Sequence, residues 1–189
     1  MTKRDSISTN QDVVDFLTDQ HQAIRRLFVE TLDAPDAAAQ EKSFDALRTM
    51  LAVHETAEEM MVHPRVRRKI TGGREIVEAR LAEEHDSKVA LAEIEKLEFG
   101  TAEFSKAVIH LQAAVLRHAE LEETEEFTRL EEELDADELK KLTAAVQVAE
   151  RIAPTHPHAG VETGAANFVA GPFASLLDRA RDALKRIAA

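Results

Sequence analysis

An all-α fold, an antiparallel up-down four-helix bundle followed by further C-terminal helices, is predicted by three features of this 189-residue chain. Apolar residues recur at intervals of three and four over long stretches, the pattern of helices with one buried face. Helix formers dominate: Ala, Leu, Glu and Lys are abundant, against only 6 Gly, 5 Pro and 8 aromatic residues, all of them Phe. Turn signals interrupt the periodicity at intervals that let long helices fold back on one another.

The first helix is expected over residues 12–32, with Val14, Leu17, His21, Ile24 and Phe28 on one stripe. The segment DAPDAAAQ ends it, Pro35 and Asp36 supplying the turn chemistry. A second helix is expected over 38–63, its inner face carrying Phe44, Leu47, Met50, Leu51, His54, Glu58 and Met61. Pro64 has no backbone donor, so it is expected to kink or fray the chain beyond it. The turn TGGR at 71–74 leads into a third helix over 74–97, and Gly100 with Thr101 marks the corner before a fourth over 103–134. Asp135 and Glu138 form a capping box that starts a fifth helix ending near Ile152. Residues 153–171 read as a loop, and Pro172 suits the first position of a last helix bearing Phe173, Leu176, Leu177, Ala180, Leu184 and Ile187. Two units are therefore expected: a bundle over 1–134, and a helical extension with a Pro/Gly-containing loop over 135–189. The extension packs either on the bundle or on a partner subunit, the latter giving a homo-oligomer.

Composition excludes several classes of function. A formal net charge of -12 argues against general attraction to nucleic acid, whose phosphates need a cationic face. With no cysteine, disulfides and thiolate metal sites are absent, which fits a reducing compartment. The opening MTKRDSISTNQD has no apolar core after its basic residues, so neither a secretory signal nor an anchor is expected there. No stretch approaches the roughly 18 uninterrupted apolar residues of a membrane span. A cytoplasmic location is the expectation.

Chemistry enters with an internal repeat. Adding 64 to His21 gives His85, and adding it to His54, Glu58 and Glu59 gives His118, Glu122 and Glu123. The apolar frame recurs at the same offset: Leu17 with Leu81, Leu27 with Leu91, Phe44 with Val108, Leu47 with Leu111 and Leu51 with Val115. Two helical hairpins related by a pseudo-twofold axis are implied. At a rise of about 1.5 Å per residue, the chain climbs about 11 residues past His21 and returns about 15 to reach His54, so the histidines share one depth. His54 and Glu58, like His118 and Glu122, are four apart and lie on the same apolar face. A carboxylate there must be paired, protonated or metal-bound.

Four imidazoles and two carboxylates suit a pair of first-row metal ions, each glutamate placing one oxygen on each ion and two histidines terminating each. Such mixed ligands favour iron, manganese or zinc without choosing among them. A purely structural polar layer is the alternative. Other metal motifs fail on spacing: none of the four histidines comes three residues after a glutamate, as in ferritin-like Glu-x-x-His, and HETAE departs from the zinc-protease motif at Glu58.

The order His21, His54 with Glu58, His85, His118 with Glu122 resembles the hemerythrin-like (HHE cation-binding) family, over about residues 12–134. The resemblance implies a four-helix bundle with two non-haem iron ions, oxo- or hydroxo-bridged, that binds or reduces dioxygen, hydrogen peroxide or nitric oxide. Oxygen-carrying members have an additional third-helix histidine, where this chain has Leu81 and Val89 at four residues from His85. That departure favours redox turnover of small oxidants, catalase-like or peroxidase-type, or iron sensing, over reversible oxygen carriage.

Other polar residues are assigned lesser roles. Glu55 is a minor candidate for an extra oxygen ligand, its repeat counterpart being Ala119. Glu59 and Glu123 either orient ligand histidines or face solvent. His63 falls about 180° round the helix from His54 and reads as a helix-end residue outside the site. His110 reads as a rim residue, and His156 and His158 as adventitious metal binders. Three hypotheses stand: a di-iron enzyme acting on small oxidants, an iron- or oxygen-responsive sensor without turnover, and a metal-free helical interaction module.

Overall fold

The computed structural model describes residues 11–153. The loop and last helix expected beyond that point, with His156 and His158, lie outside the described residues. Helix α1 spans Val13–Leu32, α2 Ala37–Ala57, α3 His63–Lys69, α4 Gly73–Ile94, α5 Ala102–Leu121, α6 Thr128–Glu133 and α7 Ala136–Glu150. Side chains cap these helices, one of them as expected. The Asp12 carboxylate accepts the Asp15 N–H at 3.0 Å, Asp36 accepts Ala39 N–H at 2.8 Å, and Thr101 Oγ1 accepts Phe104 N–H at 3.2 Å. Asp135 and Glu138 make the reciprocal capping box at the start of α7.

The rods pack α1 on α2, α3 on α4, α4 on α5 and α5 back on α1, closing the antiparallel bundle. Helix α7 lies on α1 and α2 as a fifth element, tied to α1 by Gln20 with Glu150 and to α3 by Arg65 with Glu138. The turn before α4 needs its glycines: Gly72 has φ 74°, and a Cβ on Gly73 would stand 2.2 Å from the Val66 carbonyl oxygen. Among the described residues no helix is long and apolar enough to cross a membrane.

Two rods differ from expectation. A π-helical turn, Glu58–Val62, joins α2 to α3, and a second, Glu122–Phe127, joins α5 to α6. They begin 64 residues apart, each on a glutamate of the repeat, so the repeat extends to this irregularity. The second rod then continues through Pro64 to Lys69 rather than ending near residue 63. The His63 N–H has already shifted to the Glu58 carbonyl, and the missing donor of Pro64 falls just after that break in the ladder.

Two apolar clusters occupy the ends of the bundle. Phe28, Phe44, Leu47, Phe104 and Leu111 anchor one; Leu17, Val62, Val66, Phe127, Leu130 and Val146 anchor the other. Along α1 the order is Leu17, His21, Ile24, and along α2 it is Leu51, His54, Ala57, so a polar layer crosses the core between the clusters.

Candidate metal centre

His21 enters this layer from α1, His54 from α2 and His118 from α5, all buried, while Glu58 and Glu122 open the two π turns and are fully buried. The ligand atoms of His21, His54, Glu58 and Glu122 all lie within 4.8 Å of one another. His21 Nε2 is 3.1 Å from His54 Nε2. His54 Nε2 is 3.3 Å from Glu58 Oε2, and His21 Nε2 is 3.3 Å from Glu122 Oε2. The other oxygen of Glu122, Oε1, is 3.1 Å from His118 Nε2. Glu122 thus faces histidines of different helices with its two oxygens.

Each histidine is oriented through its Nδ1. That of His54 donates to Gln20 Oε1 at 2.7 Å, and Gln20 in turn donates to Glu150 of α7. That of His21 donates to Glu123 Oε1 at 2.8 Å, and that of His118 to Glu83 Oε2 at 3.0 Å. An Nδ1 proton leaves the lone pair on Nε2, the tautomer that ligates. Phe127 stacks on the His21 ring, with centroids 5.6 Å apart and planes at 11°.

This arrangement fits a cation. Two Nε2 lone pairs facing each other at 3.1 Å repel unless a proton or metal ion stands between them. Both oxygens of Glu58, both of Glu122 and Nε2 of His118 are buried without hydrogen-bond partners, their mutual contacts lacking hydrogen-bond alignment. Six carboxylates are buried here, Glu55, Glu58, Glu59, Glu84, Glu122 and Glu126, a density of charge that needs compensation.

The protonation states carry the same sense. Burial pushes Glu58 well above the usual carboxylate range, and the charges of Glu122 and Glu84 add to it. Burial also acts on Glu122, but His118 and His21 outweigh it and hold this carboxyl well below its ordinary value. His54 is lowered to about 3 by burial, with His21 adding to the effect, and so stays neutral as a ligand must. Burial opposes the charged form of His118, yet Glu122 and Glu83 raise it well above the ordinary histidine value.

A second convergence was not anticipated. His63, nine-tenths or more buried, donates from Nε2 to Glu84 Oε1 at 2.8 Å and faces Glu126 Oε1 with Nδ1 at 3.1 Å. Ligand atoms of His63, Glu84 and Glu122 lie within 4.8 Å of one another. The helix-end reading of His63 is corrected by the π turn. An i→i+5 turn spends one residue more than an α turn, so later positions fall back by about 100°, and nine residues past His54 leave His63 about 80° from it instead of about 180°. Lys88 lies beside this group, buried at 6% exposure, bound to Glu59 and 3.4 Å from Glu84 Oε2 and 3.7 Å from Glu55 Oε2. Glu55 therefore faces a buried lysine, and burial raises its carboxyl to about 8, with Lys88 opposing.

His85 is half-buried on α4 and outside both groups of ligand atoms; the inward residue at this level is its neighbour Glu84. His110 is exposed. A narrow crevice walled by Ile24, Leu51, Val115, Leu116 and Ala119 reaches His21, His54 and His118.

The family model described as the hemerythrin HHE cation binding domain matches residues 12–130. An uncharacterized hemerythrin-like protein of Schizosaccharomyces pombe is 25% identical over 138 residues, covering 72% of this chain and 68% of that protein. Among solved structures, a hemerythrin HHE cation-binding domain-containing protein from Mycobacterium kansasii superposes with a TM-score of 0.66 at 17% identity, covering 94% of this chain and 99% of that one. At that identity the structural likeness establishes the fold.

Proposed function

The chain belongs to the hemerythrin HHE cation-binding family, and from that premise we propose that it is a non-haem di-iron protein that binds small oxidants (hydrogen peroxide, dioxygen or nitric oxide) and reduces or disproportionates them. The observation that carries the proposal is the facing pair of His21 and His54 nitrogens beside two buried, unpartnered carboxylates. The proposed ligands are His21, His54, Glu58, His118 and Glu122, with Glu58 and Glu122 as the shared carboxylates. An iron pair bound there supplies positive charge and electron exchange with the oxidant. The acidic, cysteine-free sequence suits a cytoplasmic setting for this work.

The protein's own part is positioning and exclusion. Gln20, Glu123 and Glu83 hold the three imidazoles by Nδ1 with Nε2 turned into the layer, so little reorientation accompanies binding. The apolar crevice admits molecules of a few atoms, and the clusters on either side keep bulk water from the layer. With no Tyr, Trp or Cys in the chain, no readily oxidised side chain of those types competes for the oxidant.

The test is to load the full chain with iron, mix it with hydrogen peroxide, and monitor oxygen release together with near-ultraviolet bands. Two iron ions per chain and multiple turnovers are expected; unchanged iron content in His54→Ala and Glu58→Ala would place the metal elsewhere. A sensor without turnover draws on one observation, the Gln20 link from His54 to Glu150, which ties a ligand to α7. Metal-dependent stabilisation without oxygen release would favour that reading.

A further inference from the structure

The internal repeat assigns one histidine of α4, His85, to the second half of the centre, yet a different histidine stands in the polar layer. We propose that the second metal ion is held by His63 and Glu84 together with the shared carboxylate of Glu122, in place of a ligand from His85. The proposal rests on the reading of the bundle as a di-metal centre and specifies its second half.

Three observations support it. His63, Glu84 and Glu122 bring one ligand atom each to within 4.8 Å, from three different segments of the bundle. Glu122, 0% exposed, has no hydrogen-bond partner on either oxygen, and neither does Oε2 of the equally buried Glu126 beside His63. Three carboxylates therefore surround one imidazole, which can offer protons to only two of them. Lys88 does not neutralise all of this group: it sits on Glu59 and on the far oxygen of Glu84, Oε2, which leaves Oε1 turned to His63.

The substitution also changes the composition of the second half in a consistent way. On the first side, a histidine of the His-x-x-x-Glu motif, His54, pairs with His21, while Phe127 covers the ring. Sixty-four residues before Phe127 stands His63, and sixty-four after Gln20 stands Glu84. The second side thus takes its extra imidazole from the end of a π turn and an oxygen from α4, where the first side takes an aromatic cover and an amide. The second position thus gains a carboxylate oxygen, that of Glu84, where the first has the amide of Gln20.

The test titrates full-length protein with ferrous iron under anaerobic conditions, counting bound iron per chain by dialysis and elemental analysis. Wild type and His85→Ala are expected to hold two ions. His63→Gln and Glu84→Gln, which keep hydrogen-bonding side chains, are expected to hold one, with the second weakened at least tenfold; circular dichroism checks their fold, and either variant alone decides the point. X-ray absorption gives an independent readout: the mean imidazole count per iron is expected to be the same in iron-saturated wild type and His85→Ala, and a lower count in His85→Ala would overturn the proposal. Two ions in either His63→Gln or Glu84→Gln, correctly folded, overturn the proposal and leave the di-iron reading standing, more so if His85→Ala holds one. A wild type that binds no iron overturns both together.

Discussion

The two sides of the polar layer are built on one backbone plan and filled with different chemistry. At five pairs of positions 64 apart, one residue belongs to the buried ionisable network and its counterpart is neutral: Glu84 and Gln20, Lys88 and Ile24, Glu55 and Ala119, Glu126 and Val62, His63 and Phe127. Around His21 the packing is aromatic and apolar, so the ligand is fixed by shape and by one hydrogen bond at Nδ1. Around His63 the packing is ionic, and position is fixed by mutual attraction among charges. A repeat therefore conserves where side chains enter the core more faithfully than what they carry.

Removing the group that joins the two sides has the largest expected effect. Glu122→Ala is predicted to abolish binding of both iron ions, read as iron per chain and as loss of metal-dependent thermal stabilisation. Next come exchanges at one equivalent position. Lys88→Met removes the buried ammonium beside Glu55, Glu59 and Glu84 and is expected to cost the metal-free protein about 3–5 kcal/mol in denaturant unfolding. Ile24→Val, at the same place on the other side, should cost only about 0.5–1.5 kcal/mol. Equal losses would show that the asymmetry has no energetic content.

Gln20→Ala sharpens the comparison from the first side. It removes the acceptor at His54 Nδ1 and is predicted to weaken iron about 10–100-fold at that position alone. The smallest effect is with pH. Burial raises Glu59 and Glu55 from 4.5 to about 7 and about 8, so the folded protein keeps protons that the unfolded chain releases, and stability falls as pH rises through those values. His54 acts oppositely, lowered from 6.5 to about 3, but its contribution is complete above 6.5. The melting temperature of metal-free protein should thus fall between pH 6.5 and 8, and that of iron-loaded protein should fall less.

Periodicity and turn chemistry made the rods and the α7 capping box legible, because those features depend on local sequence. The common depth of His21, His54 and His118 was legible for the same reason, since rise per residue is nearly constant along α1, α2 and α5. The π turns were not, as they need the buried glutamates and tertiary packing to form. Every orientation after Glu58 and Glu122 shifts with them, which is why His63 was placed outside. The offset of 64 matched His85 to His21 by residue type, whereas the inward position on α4 went to Glu84 one residue before it.

The central claim, a metal pair seated in this layer, is tested most directly by iron-edge anomalous diffraction from crystals of the iron-loaded full chain. Two peaks are predicted, one against His21, His54 and Glu58, the other across Glu122 on the side of His63 and Glu84. A layer without anomalous signal in crystals grown from protein carrying two iron ions per chain would contradict it.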